Sequence, residues 1–206
     1  LYSKDKTTLL RSPEGIKGEI VIPSSVVAIN AYAFYHCRDL TNVVIPNSVT
    51  KIGEQAFCRS GIISINIPTS VMEIGTHTFW QCESLTSVMI PNSVTEIVSG
   101  MFSYCRNLVD IVIPNSVIRI GAWAFGSCES LTSIVIPNSV ITIGDNAFHG
   151  CNSLYSLIIP SSITTIGDNA FRDCNSLPSL IIPNSVISIG SEAFLNCSAL
   201  THLTIG

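Results

Sequence analysis

The dipeptide Ile-Pro recurs along this chain with Pro at positions 23, 46, 68, 91, 114, 137, 160 and 183, a period of 23 residues broken by one step of 22. A period of that length belongs to solenoids, in which each unit builds one turn and cannot bury its apolar face alone. Whatever else it does, such a chain has to stack. With 206 residues, 47% of them hydrophobic and 12% charged, it has the apolar material for a continuous core.

From residue 131 the unit reads Leu-Thr-Ser-Ile-Val-Ile-Pro-Asn-Ser-Val-Ile-Thr-Ile-Gly-Asp-Asn-Ala-Phe-His-Gly-Cys-Asn-Ser, and Leu154 opens the next. All eight Phe (34, 57, 79, 102, 125, 148, 171 and 194) fall in one slot and predict an aromatic spine. The stretch Leu131–Ile136 suits a short parallel strand with Leu131, Ile134 and Ile136 pointing inward. Pro137 ends that strand because it has no N–H for a ladder. Asn138-Ser139 makes the turn, Val140 and Ile143 return to the core, and a short helical or irregular segment carries Ala147 and Phe148.

Two slots are irregular. Gly follows the second Ile at 53, 75, 121, 144, 167 and 190, but Asn30 and Val98 stand there in the other units. Gly and Asn point to a left-handed backbone that a β-branched Val resists, so a rearrangement is expected at Val98, with Gly100 absorbing the turn. The segment from Phe57 to Ile62 is one residue short, and Ser60 fills a slot that is otherwise Cys.

Composition excludes several functions. A net charge of −4 with singly scattered Lys and Arg offers no track for phosphates, so nucleic acid is not an expected partner. No apolar run approaches a bilayer span, so membrane insertion is not expected of this segment. Seven of the eight Cys (37, 82, 105, 128, 151, 174 and 197) share one slot and should be buried thiols, with Cys58 out of phase. Their spacing is wrong for zinc, and His36, His77, His149 and His202 do not converge, so no metal, cofactor or catalytic residue is expected and the chain is not read as an enzyme. Asp145-Asn146 and Asp168-Asn169 could form an acidic ridge for calcium but read more simply as turn residues. Asn196-Cys197-Ser198 fits a glycosylation acceptor only by pattern.

The strand phase also names the outward positions. One column runs Val44, Asn66, Met89, Val112, Val135, Ile158, Ile181 and Thr204, and beside it lie Asp110, Tyr155 and His202. The residues singled out as a ligand-binding face are Val44, Met89, Asp110, Val112, Val135, Tyr155, Ile158, Ile181 and His202, an exposed apolar stripe with aromatic, Met and His anchors. The plainer explanation is that β-branched residues simply suit a parallel ladder.

The motif L-x-x-I-x-I-P-x-S-V-x-x-I-G-x-x-A-F-x-x-C-x-x resembles the BspA-like leucine-rich-repeat family over Ile20 to Ile205. The resemblance implies an α/β leucine-rich-repeat solenoid of about eight 23-residue coils, with its parallel sheet on the concave face and helical or irregular segments opposite. Residues 1–19 resemble the capping hairpin of such arrays, with Lys4-Asp5-Lys6-Thr7 as the turn, and residues 20–206 form the array, a piece of a longer chain. The implied role is cell-surface or secreted adhesion to host or matrix proteins such as fibronectin. An intracellular, cytoplasmic scaffold on the same solenoid is the alternative. An apolar layer of Phe194, Leu200 and Leu203 in the last coil would favour end-to-end dimers.

Overall fold

A computed structural model describes all 206 residues as a parallel-strand solenoid with nine strands in each of two columns. The first column holds β2 (Gly18–Val21), β4 (Leu40–Val44), β6 (Ser64–Asn66), β8 (Ser87–Met89), β10 (Asp110–Val112), β12 (Ser133–Val135), β14 (Ser156–Ile158), β16 (Ser179–Ile182) and β18 (His202–Ile205). The second consists of two-residue strands: β1 (Thr8–Leu9), β3 (Ala28–Ile29), β5 (Lys51–Ile52), β7 (Glu73–Ile74), β9 (Glu96–Ile97), β11 (Arg119–Ile120), β13 (Thr142–Ile143), β15 (Thr165–Ile166) and β17 (Ser188–Ile189). The sequence pattern did not reveal this second column. Its strands are too short to show a period of two, and the Ile that each contributes looks like any other core residue.

No residue is helical, which corrects the α/β expectation. The segment around each Phe is instead a chain of tight turns. In the first coil Ala33 N donates to Asn30 O (3.3 Å), Tyr35 N to Tyr32 O (3.1 Å) and Cys37 N to Phe34 O (3.2 Å). The intervening Tyr32, Phe34 and His36 donate across to Glu54, Ala56 and Cys58 of the next coil at 3.0, 2.7 and 3.0 Å. Every N–H is thus used without the run of i→i−4 bonds that defines a helix. Two residues per coil take positive φ, two before and two after each Phe: fourteen non-glycine residues, from Tyr32 to Asn196, together with Gly100 and Gly150.

The Phe rings form the expected spine, stacked at centroid spacings of 5.0 to 5.6 Å and within 14° of parallel. Leu131, Ile134 and Ile136 point inward, and one continuous apolar cluster runs through the coils. At the start, Tyr2 pairs antiparallel with Leu9, Lys6 N closes on Ser3 O (2.9 Å), and β1 lies in parallel register on β3. The hairpin turn is therefore Ser3–Lys6, one residue earlier than the sequence indicated, because the Asp5 carboxylate accepts from Ser3 Oγ (2.5 Å) and Thr7 N (3.1 Å).

The Gly slot has a different cause from the one expected. None of those six glycines has a positive φ; a Cβ on Gly144 would lie 2.7 Å from Ala122 N, and one on Gly121 2.8 Å from Ser99 N. Glycine is there because adjacent turns touch backbone to backbone. At Val98 the side chain prevents that approach. Gly75 N and Gly121 N reach Ile52 O and Ile97 O at 2.9 and 2.7 Å, whereas Val98 N makes no such bond and β7 is not paired with β9. A hollow of about 310 Å³ between Met72–Ile74 and Val94–Val98 marks the seam. The rearrangement expected at Val98 is therefore present. Gly100 is left-handed (φ 65°), but so is its counterpart in every coil.

Candidate functional site

The outward side of the first column carries the expected stripe. Val44, Met89, Val112, Val135, Ile158 and Ile181 are 42 to 76% exposed, and Val21 extends the stripe by one coil at 64%. Register places Val112 beside Met89, Val135 beside Ile158 and Ile181 beside Thr204. Tyr155 is exposed and flanks Ile158, Asp110 is exposed two residues before Val112, and His202 is exposed with its Nδ1 2.9 Å from Thr201 Oγ1. All nine residues thus share one face, spread along the stack rather than gathered in one place. Two shallow hollows adjoin the stripe, one of about 440 Å³ around Asn66 and Met89 and one of about 510 Å³ around Val112, Val135 and Ile158.

The ladder behind this face is interrupted. Tyr155 N donates to Thr132 O (2.9 Å) and Thr201 N to Pro178 O (3.0 Å), but Pro178 has no N–H to return to the coil before it, and β14 and β16 are unpaired. β10 and β12 are also unpaired, and no side chain in the structure explains that break. The surface is therefore several short paired blocks over one continuous core.

The cysteines are part of the scaffold. Sγ of Cys82, Cys105, Cys128, Cys151 and Cys174 donates to the carbonyl of the Phe one coil earlier, at 2.9 to 3.3 Å, and all five thiols are buried. Burial pushes Cys82 and Cys151 up to about 12 and Cys58 up to about 11, well away from a reactive thiolate. Asp145 and Asp168 are likewise committed: their Oδ1 atoms accept from Asp168 N (2.9 Å) and Ser191 N (2.6 Å) of the following coil, as turn residues do.

A second concentration of side chains lies on the face made by the Phe-flanking turns. Both Trp residues (80 and 123), Tyr32, Tyr35 and Tyr104, and His36, His77 and His149 are there. Trp80 stands perpendicular to Tyr104 with centroids 6.4 Å apart, and the Arg59 guanidinium lies 5.1 Å over the Trp80 ring. Arg59 is itself held by Gln81 and by His36 Nε2, the latter at 3.1 Å. Burial and then the Arg59 charge lower the His36 pKa, which favours the neutral ring needed to accept from Arg59. Sequence reasoning missed this face because its residues occupy three different slots. Writing out the non-repeating aromatics at two before, one after and two after each Phe would have found it.

The chain matches the family described as BspA type leucine rich repeat region (6 copies) over residues 17–132 and 119–206. Solved structures agree. A leucine-rich repeat protein from Bacteroides ovatus has TM-score 0.82 at 31% identity, covering 92% of this chain and 55% of its own. The T. pallidum leucine rich repeat protein has TM-score 0.74 at 34% identity, covering 86% of each chain. A protein from Faecalibacterium prausnitzii described as a leucine rich cell surface protein has TM-score 0.65 at 31% identity, covering 94% of this chain and 60% of its own. This chain therefore spans little more than half of the Bacteroides and Faecalibacterium proteins. No curated protein sequence matches it. No helix of the structure is long and apolar enough to cross a membrane.

Proposed function

The chain belongs to the BspA-type leucine-rich-repeat family, and from that premise we propose that it is a protein-binding module, displayed at a cell surface or secreted, that adheres to host or matrix proteins through the outward side of its first strand column. The observation that carries this is the exposed apolar stripe from Val44 to Ile181, with Tyr155, Met89 and His202 as anchors. β-Branched and aromatic side chains, set on short strands over one continuous core, lose little freedom on binding, which favours affinity. The description of the Faecalibacterium relative as a cell surface protein supports the location.

The test is binding to immobilised fibronectin by the wild type and by Met89→Ala, Tyr155→Ala and His202→Ala. Saturable binding that weakens in at least one variant, with unchanged unfolding midpoints, is the expected outcome. Binding untouched by all three would remove the stripe as the site.

A further inference from the structure

We infer that the turn face holds a second binding site, independent of the stripe, for a neutral carbohydrate stacked on its partly exposed rings. Glu54, Gln55, His77, Trp80, Ser103, Tyr104 and Trp123 surround a hollow of about 380 Å³, inside the size range of small-ligand sites. The hollow exists because the repeat is broken locally. In the slot two before Phe, the coils of His77 and Trp123 flank one that places Gly100 there, so no side chain rises between them. A Cβ on Gly100 would meet the His77 ring, 2.5 Å from Nε2, and one on Gly126 would lie 2.5 Å from Trp123 Cε3. Small residues thus let the two rings lie down on either side of the opening.

The aromatics are not there for backbone reasons. Trp123 (φ 57°) and Tyr104 (φ 60°) occupy left-handed positions that Gly or Asn fills more easily, as Asn146, Gly150 and Asn169 do in neighbouring coils. Nor are they core, since the Phe spine lies beneath them and each is only partly buried.

The chemistry of the lining selects the ligand class. Stacking platforms also serve nucleic-acid bases, but those sites track phosphates with a basic groove, and here the hollow carries the Glu54 carboxylate on a chain of net charge −4. An organic cation would find the Trp80 ring already taken by the Arg59 guanidinium. What remains is an uncharged ligand with a C–H face for the rings and hydroxyls for planar polar groups. Glu54 and Gln55 in the lining supply acceptors and donors. A pyranose has that combination.

The two Trp residues are the only ones in the chain and both line the hollow, so intrinsic fluorescence reports on the site directly. The chain is titrated with cellohexaose, chitohexaose and mannohexaose, and separately with tetramethylammonium. A saturable change in tryptophan emission with at least one sugar is expected, weakened roughly tenfold in Trp123→Ala and Tyr104→Ala. Far-UV circular dichroism checks that both variants remain folded, and Gln55→Ala provides a third variant that removes a polar contact and no ring. Silence with all three sugars, or a response to tetramethylammonium alone, overturns the inference. Fibronectin binding that survives in the Trp123 variant shows that the stripe works on its own, so either site can fail without the other.

Discussion

The first strand column and the turn face are built on the same Phe spine, yet they treat their outward positions differently. On the strand column the outward residues largely repeat: apart from Asn66 and Met89, the slot of Val44, Val112, Val135, Ile158, Ile181 and Thr204 is β-branched. On the turn face the equivalent slots change from coil to coil, passing through Tyr32, Gln55, His77, Gly100, Trp123, Asn146, Asn169 and Glu192. A pleated ladder rewards particular side chains on its surface, so it tends toward uniformity. The turn ladder draws its stability from backbone bonds between coils, and its outward side chains are left free to differ. Regularity in a repeat protein therefore marks where the fold selects residues, and irregularity marks where something else can.

The largest effect should come from the spine the two faces share. Phe125→Ala removes a fully buried ring stacked between Phe102 and Phe148 at 5.5 and 5.2 Å, and a loss of about 3–5 kcal/mol is expected. Val135→Ala, one slot out on the strand face, should change stability by less than about 1 kcal/mol. Urea denaturation of both variants settles the ordering. If the two losses are alike, the outward ladder is as structural as the core and the contrast between faces collapses.

A second effect belongs to the thiols under the turn face. Their folded pKa values lie above the ordinary one, so the unfolded chain ionises first, and the stability they contribute is complete below pH 9 and falls as pH rises toward 12. The urea midpoint should be level to about pH 8 and decline above about pH 9. In Cys82→Ala with Cys151→Ala the decline should be shallower, whatever the two changes cost at neutral pH. An equal slope would assign the decline to other groups.

Much of this was legible beforehand: the stacking, the inward Leu and Ile, the spine, the hairpin, the Val98 seam and the buried thiols, except Cys197, which the last coil leaves half-buried, all follow from slots that hold one kind of residue. The glycine column misled, because close approach between coils and a positive φ both demand Gly, and one chain cannot tell them apart. The true left-handed positions hold Gly at only two places, Gly100 and Gly150, so no propensity announced them. There the N–H of each left-handed residue from Tyr32 to Asp173 donates to the following coil, as Trp123 N does to Asp145 O (2.9 Å) and Ser127 N to His149 O, which fixes φ regardless of the side chain. The aromatic turn face was hidden for the same reason: a search for what repeats passes over what does not.

Substitution to glycine should therefore change sign between the faces. Val135→Gly on β12 loses a β-branched residue from a strand and adds backbone freedom to the unfolded chain, and should destabilise by about 1 kcal/mol. Ser127→Gly on the turn face replaces a residue at φ 58° whose counterpart in the next coil is already Gly150. Relief of left-handed strain, about 1–2 kcal/mol, then outweighs the entropy of the new glycine, about 0.5–1 kcal/mol. Ser127→Gly should therefore be neutral to slightly stabilising, read as an unchanged or higher urea midpoint. If both variants lose stability equally, the left-handed positions of the turn ladder carry no strain, and Trp123 and Tyr104 sit there at no energetic cost.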